Sequence, residues 1–139
     1  MTFTVELEQE SDGRWIGEVP QLPGTLVYGA SPEEATARAK ALALRVLADR
    51  LEHGEARCSV GRHHLRRGVT RWPSTKARRV LAALLRIGWS IKRDRGGSHR
   101  VLSREGWPDF VFAFHDADEI GPRMLERIAR HTGLTPEDL

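Results

Sequence analysis

Hydrophobic and polar positions follow two rhythms along this chain, a two-residue alternation and a helical repeat, and their order outlines the elements. Phe3, Val5 and Leu7 alternate with Thr4, Glu6 and Glu8, the pattern of a half-buried strand. Asp12-Gly13 predicts a hairpin turn and Trp15–Val19 the returning strand. Pro20 to Gly24 breaks the run, and Thr25–Tyr28 makes a third strand. Ser31-Pro32-Glu33-Glu34 then opens a helix: Ser31 caps it, Pro32 suits its first position, and Glu34 completes a capping box. Ala35, Ala39, Leu42, Val46 and Leu47 recur at helical spacing until Gly54 ends the run. A β-β-β-α unit this small has a thin core and needs a partner or a further strand to complete it.

The rhythm is lost in the Arg- and His-rich stretch 56–71, which reads as a linker with a short extra strand near Cys58-Ser59-Val60. Extended, it spans at most about 60 Å, which allows docking within one chain or swapping between two. Helical spacing returns after Pro73, with Val80, Leu81, Leu84, Leu85 and Ile87 on one face and Gly88 as the stop. Trp89–Arg93 is strand-like, Asp94-Arg95-Gly96-Gly97 is a turn, and strands follow at Ser98–Ser103 and Asp109–Phe114. Phe110, Phe112 and Phe114 share a face of the last strand, and Trp107-Pro108 reads as the loop before it. Pro122 begins a helix with Met124, Leu125, Ile128 and Ala129 inward, closing near Gly133. The order α-β-β-β-α is that of small double-stranded-RNA-binding domains. The fold class is therefore α+β, with domains at 1–55 and 72–139 and a linker at 56–71.

Composition narrows the class. The 139 residues are 40% hydrophobic and 29% charged, as in a soluble globular protein. No apolar run approaches the roughly 18 residues of a membrane span. Met1–Thr4 lacks the basic and apolar regions of a signal peptide, so a cytoplasmic location is expected. Cys58 is the only cysteine, which excludes disulfides and cysteine-rich zinc sites within one chain. His63-His64 has no carboxylate or cysteine at ligand spacing, so neither a metal nor a cofactor is expected.

The net charge of +3 hides a division. Residues 1–55 hold five Lys/Arg against ten Asp/Glu, a net of −5. The remainder holds 17 Lys/Arg against nine Asp/Glu, a net of +8. Two solvated faces would give such a division, and so would a nucleic-acid-binding half covered by its own acidic half.

The candidate chemistry lies in the basic half. His99 follows the doubled glycine Gly96-Gly97 at the start of a strand, where a ligand can approach closely. With an ordinary pKa near 6.5, an imidazole is the usual acid or base at neutral pH. RNA carries its own nucleophile, the 2′-hydroxyl. Its cleavage needs a base, an acid and cations for the developing phosphorane charge. Lys76, Lys92, Arg93, Arg95 and Arg100 are candidate cations, His115 a second acid or base, and Ser98 a turn-shaping or phosphate-binding residue. A histidine in a basic strand is equally at home as an ordinary surface residue. Trp89, directly after an apolar helix, reads as core.

The stretch "RRVLAALLRIGWSIKRDRGGSHRVL" followed by "HDADEIGPRMLERIARHTGL" resembles the HicA toxin family of bacterial toxin–antitoxin systems. The resemblance rests on Lys76, Gly88-Trp89, Lys92-Arg93, Gly97-Ser98-His99, His115 and Ile120-Gly121-Pro122, and covers about residues 72–139. Residues 1–55 are similar to the HicB antitoxin family, through the hairpin, the Glu18–Gly24 stretch and the helix start after Gly29. The resemblance implies a partial RNase H-like antitoxin module and a metal-independent mRNA interferase whose catalytic group is His99. It further implies that the first half masks and neutralises the second, with Lys76 and the arginines on phosphates. Toxin and antitoxin are normally separate chains, whereas here they are joined with the antitoxin first. No helix-turn-helix or ribbon-helix-helix pattern follows, so DNA binding is not expected.

Three readings follow: a self-inhibited endoribonuclease acting on mRNA, a catalytically silent RNA-binding module, and an interaction protein whose antitoxin half pairs with another toxin or a second copy of the chain; the two halves are expected to meet within one chain, by swapping, or in a homo-oligomer. Carboxylates of the first half, such as Glu6, Glu8 or Glu18, are expected on the basic surface around His99.

Overall fold

A computed structural model describes residues 2–55, 72–95 and 99–139. The expected linker with its short strand, and the turn residues Gly96, Gly97 and Ser98, lie outside the described residues. The fold is mixed α+β. Its first half runs β1 (Glu6–Gln9), β2 (Trp15–Glu18), β3 (Leu26–Gly29) and α1 (Pro32–Glu52). Its second half runs β4 (Thr75–Lys76), α2 (Ala77–Arg86), β5 (Ser90–Asp94), β6 (Arg100–Arg104), β7 (Trp107–Phe112), β8 (Glu119–Ile120) and α3 (Pro122–Thr132). A 3-10 turn at Pro136–Asp138 ends it. The sheets β1-β2-β3 and β5-β6-β7 are antiparallel, and β4 pairs with β8.

Local chemistry explains the elements. Glu10 and Arg14 close the first hairpin around Asp12, whose carboxylate accepts from the Arg14 amide at 3.1 Å. The Ser31 hydroxyl accepts from the Glu34 amide at 3.1 Å, but the capping box is half made. The Glu34 carboxylate turns instead to Arg38, 2.7 Å away. At the other end of the chain Pro122 opens α3, and Gly133, with a φ of 77°, ends it.

Register decides which face each half presents. Glu6 pairs with Glu18, and Ile16 with Glu8 on one side and Tyr28 on the other. These residues and Leu26 therefore share one face of the first sheet. Gly17, Val27 and Gly29 share the other, against α1. A Cβ on Gly17 would stand 2.6 Å from the Ala35 carbonyl oxygen, so the missing side chain lets helix and sheet meet. The opposite face packs on the second half. Ile16 and Leu26, fully buried, join Phe112, Phe114, Ile120, Met124 and Leu125 in one core. The expected half-buried strand holds in part: Phe3 and Val5 pack on the first half's core, but Leu7 is 42% exposed, and Glu6 and Glu8 reach the second half.

The second sheet is also covered twice. Phe110 and Phe112 face α2 and α3, while Val111 between them joins Val19, Leu22, Leu42 and Val46 of the first half. Each fully buried Leu, Val or Phe contributes about 1.5–3 kcal/mol. The thin core of residues 1–55 is thus completed by the other half of the same chain. Trp89 is core as expected: its indole N–H donates to the Thr132 carbonyl at 3.1 Å. Leu85 is not, at 41% exposed. Strand β7 begins at Trp107 and includes Pro108, which a strand on the edge of its sheet tolerates.

The loop at 20–25 grips that edge. The Val111 amide donates to the Pro23 carbonyl at 3.0 Å. Gly24 follows with a φ of 89°, and a Cβ there would lie 2.0 Å from the Val111 oxygen. Gly13 also has a positive φ but faces open space. Gly24→Ala is therefore expected to cost more than about 3 kcal/mol and Gly13→Ala about 1 kcal/mol. Urea unfolding followed by tryptophan fluorescence measures both, and equal losses would contradict the packing.

Candidate functional site

The start of β6 sets the site. Arg93 and Val111 both pair with Val101. His99, two residues before Val101, therefore points to the same side of the sheet, away from Leu102 and Phe110. The Arg95 amide donates to the His99 carbonyl at 3.1 Å and closes the hairpin beside it. Across this face lies the C-terminal half of α1. Val46, Asp49, Arg93, Val101 and Val111 surround the His99 ring in a small hollow.

His99 is only 6% exposed, and neither ring nitrogen has a hydrogen-bond partner among the described residues. Burial lowers its pKa from the ordinary 6.5; Asp49 opposes that, while the charges of Arg95, Arg45 and Arg93 add to it. The ring is therefore neutral at pH 7, the state that can accept a proton.

The cations beside it are saturated by carboxylates of the first half. Arg93 donates to Asp49 Oδ2 from Nη2 at 2.8 Å and from Nε at 3.2 Å, and to both Glu55 oxygens at 2.8 Å. Arg95 Nε donates to Asp49 Oδ1 at 2.7 Å, and its Nη2 to Glu52 at 3.1 Å. Lys92 bridges Glu55 and Asp109, 2.8 Å from each. Burial alone would raise the Asp49 carboxyl, but hydrogen bonds from Arg93 and Arg95 outweigh it and hold it low. Hydrogen bonds from Arg93, opposed by partial burial and helped by Lys92, bring Glu55 down to about 2.

A second band of contacts joins the halves elsewhere. Arg127 of α3, buried, donates to Glu6 at 3.0 Å, Glu8 at 2.9 Å and Glu18 at 2.5 Å. Glu18 also meets His131 Nε2 at 3.1 Å. The Glu10 carboxylate accepts from the Tyr28 hydroxyl at 2.9 Å and from the amides of Arg123 and Met124, at 3.1 and 2.9 Å, in the first turn of α3. Burial would raise Glu10, but the amides of Ser11, Met124 and Arg123 and the Tyr28 hydroxyl hold it below its usual range. An anion at a helix N-terminus is well placed for this.

The structure therefore gathers His99, Arg93 and Arg95, with Lys92 at the rim. It does not bring the other candidates there. Lys76 sits at the β4–β8 corner, 3.2 Å from Glu119. Arg100 pairs with Asp94 at 3.4 Å and Asp116 at 3.7 Å. His115 is exposed and lines a separate open groove with Arg14, Arg38, Arg45 and Phe114, so it does not face His99. Ser98, Gly96 and Gly97 lie outside the described residues.

The expected carboxylates are also replaced: Glu6, Glu8 and Glu18 reach α3, and Asp49, Glu52 and Glu55 reach the His99 face. A signal for Asp49 was present in the sequence. It continues the buried stripe Ala35, Ala39, Leu42, Val46 at the next helical step, where an apolar residue belongs. Arg127 is likewise set among Met124, Ile128 and His131. Asp49, Glu52 and His53 come close enough to share a cation. Both Asp49 oxygens already accept from guanidinium groups, however, which does not suit a metal ion. No helix among the described residues is long and apolar enough to cross a membrane.

The low carboxyl pKa values fix how the contacts depend on pH. A carboxyl depressed by folding stabilises fully above its unfolded value, 4.5 for Glu55, and loses that contribution as pH falls through its folded value of about 2. Glu55→Gln is expected to lower the melting temperature at pH 7 by about 3 °C. The gap to the unsubstituted chain is expected to close as pH falls towards 2; a gap constant over that range would contradict the contact.

Comparison with known proteins gives no match among curated proteins or solved structures. Residues 77–134, from the first residue of α2 to just beyond α3, match the family model described as the HicA toxin of bacterial toxin–antitoxin systems.

Proposed function

We propose that the second half is a metal-independent endoribonuclease acting on mRNA, and that residues 1–55 are its antitoxin, held over the site in the same chain. One observation carries this reading: a buried imidazole with no partner among the described residues lies beside Arg93 on a sheet face that α1 of the acidic half covers. The toxin-family match over residues 77–134 supports it.

With α1 withdrawn, the RNA backbone lies along β5 and β6. His99 takes the proton of a 2′-hydroxyl, and that oxygen attacks the adjacent phosphorus. The bond from phosphorus to the 5′-oxygen breaks, and the leaving oxygen takes a proton from water. Arg93 and Arg95 balance the charge on the non-bridging oxygens, where aligned cations contribute most. The products are a 2′,3′-cyclic phosphate end and a 5′-hydroxyl end. No cofactor takes part. The reaction belongs to the cytoplasm, where mRNA is found.

The closed state follows from tethering. A joined inhibitor sees its target at an effective concentration of order millimolar, so even a weak interface stays shut. The intact chain is inhibited by this reading, and its halves pair in cis.

Expression of residues 72–139 alone in bacteria is expected to arrest growth, and the whole chain is not. His99→Ala in the fragment is expected to lower RNA cleavage by about 10²–10⁴-fold, the usual share of a general acid–base group. A His99→Ala fragment that still arrests growth would overturn the role of His99. A fragment that binds RNA and leaves it whole would favour the silent RNA-binding module instead.

A further inference from the structure

Arginine grips carboxylates and phosphates in the same manner, through two anionic oxygens set against its planar fork. Glu55 meets Arg93 in that way, whereas Asp49 meets two forks at once. It gives Oδ2 to Arg93 and Oδ1 to Arg95, so one carboxylate spans both guanidinium groups. Of the three acidic residues on these arginines it alone is buried, at 5% exposed; Glu52 and Glu55 take their outer edges. It occupies a place on α1 where the helix would otherwise bury an apolar side chain. The fold gains nothing from a carboxylate there unless the arginines require one.

The His99 ring points to the same ligand. It is more than nine-tenths buried in the hollow that Asp49 and Arg93 line, and both of its nitrogens lack a partner among the described residues. A buried polar group left unpaired calls for a reason, and beside two phosphate-binding side chains a reactant supplies one.

We propose that Arg93 and Arg95 form the phosphate subsite of this face, and that the Asp49 carboxylate fills it as an internal stand-in for a phosphodiester. The inference rests on the reading of His99 as the reacting group. It adds the nature of the lock: α1 and the substrate's phosphate compete for one place, so oxyanions themselves loosen α1. It also separates the acidic residues by role. Asp49 imitates substrate, while Glu18 and Glu10 fasten the halves together away from the site.

The test uses the full chain and inorganic phosphate, with ionic strength held constant by sodium chloride. The His99 imidazole signal is followed by NMR in the unsubstituted chain, in Asp49→Asn, and in Asp49→Asn combined with Arg93→Gln. Asp49→Asn is expected to respond at phosphate concentrations about tenfold lower than the unsubstituted chain needs. The added Arg93→Gln is expected to remove that response. Equal midpoints with and without Asp49, or a response that survives Arg93→Gln, would overturn the subsite.

Should Asp49→Asn fail to fold, hydrogen exchange in the unsubstituted chain decides. Amides of residues 46–52 are expected to exchange faster in phosphate than in chloride of the same ionic strength, and equal rates would overturn the proposal. An RNA oligomer incubated with residues 72–139, which lack α1, keeps the two ideas apart. RNA cleaved without any phosphate response sinks the subsite and spares the nuclease. A phosphate response with RNA left whole does the reverse.

Discussion

A guanidinium group cannot be taken out of water without an anion taken along with it, and the contact between the two halves of this chain depends on that constraint at Arg93 and Arg127. Laying α1 over His99 places Arg93 under the helix as well, with Arg95 at its edge. Asp49 meets both, and Glu55 and Glu52 complete the outer contacts. Part of the charge division along the chain is thereby converted into geometry: acidic residues of the first half meet Lys92, Arg93, Arg95 and Arg127 in named ion pairs. Exposed pairs such as Lys76–Glu119 add little, whereas the contacts of Asp49 and Arg127 are buried and multiple.

The apolar core follows the same division of labour. Neither half keeps its core to itself. Ile16 and Leu26 sit with the phenylalanines of the second half, and Val111 sits with Leu22, Leu42 and Val46 of the first. The junction is cut across two hydrophobic clusters, and the ion pairs lie around them. Those pairs supply orientation: carboxylates on one face of β1 and β2 meet α3, and carboxylates at the end of α1 meet β5.

Much of the fold was legible because its punctuation is strong. Asp12-Gly13, Ser31-Pro32, Pro122 and Gly133 mark boundaries that the structure keeps. The pair β4–β8 was not legible, since strands of two residues carry no periodicity. Hydrophobic alternation places Phe3 and Val5 correctly against a core, but it gives no sign that Leu7 is exposed and that Arg127 draws Glu6 and Glu8 to the second half. His99 could be singled out from its place after a doubled glycine among arginines. Its companions could not all be, because Arg93, Arg95 and Arg100 look alike in a basic run and only pleat and register separate them. The run from Phe110 to Phe114 carried one unused clue: Val111 and Ala113 leave no polar residue in it, the mark of a strand enclosed on both sides.

The shared core has a consequence for any event that removes the first half. Stripping away Ile16 and Leu26 uncovers Phe112, Phe114 and Ile120, and losing α1 uncovers Val111 and Val101. A liberated second half would carry greasy patches on both sides of one sheet, a surface that invites self-association and disposal by chaperones and proteases. Its lifetime alone would be short for the same reason that the two halves fit closely together.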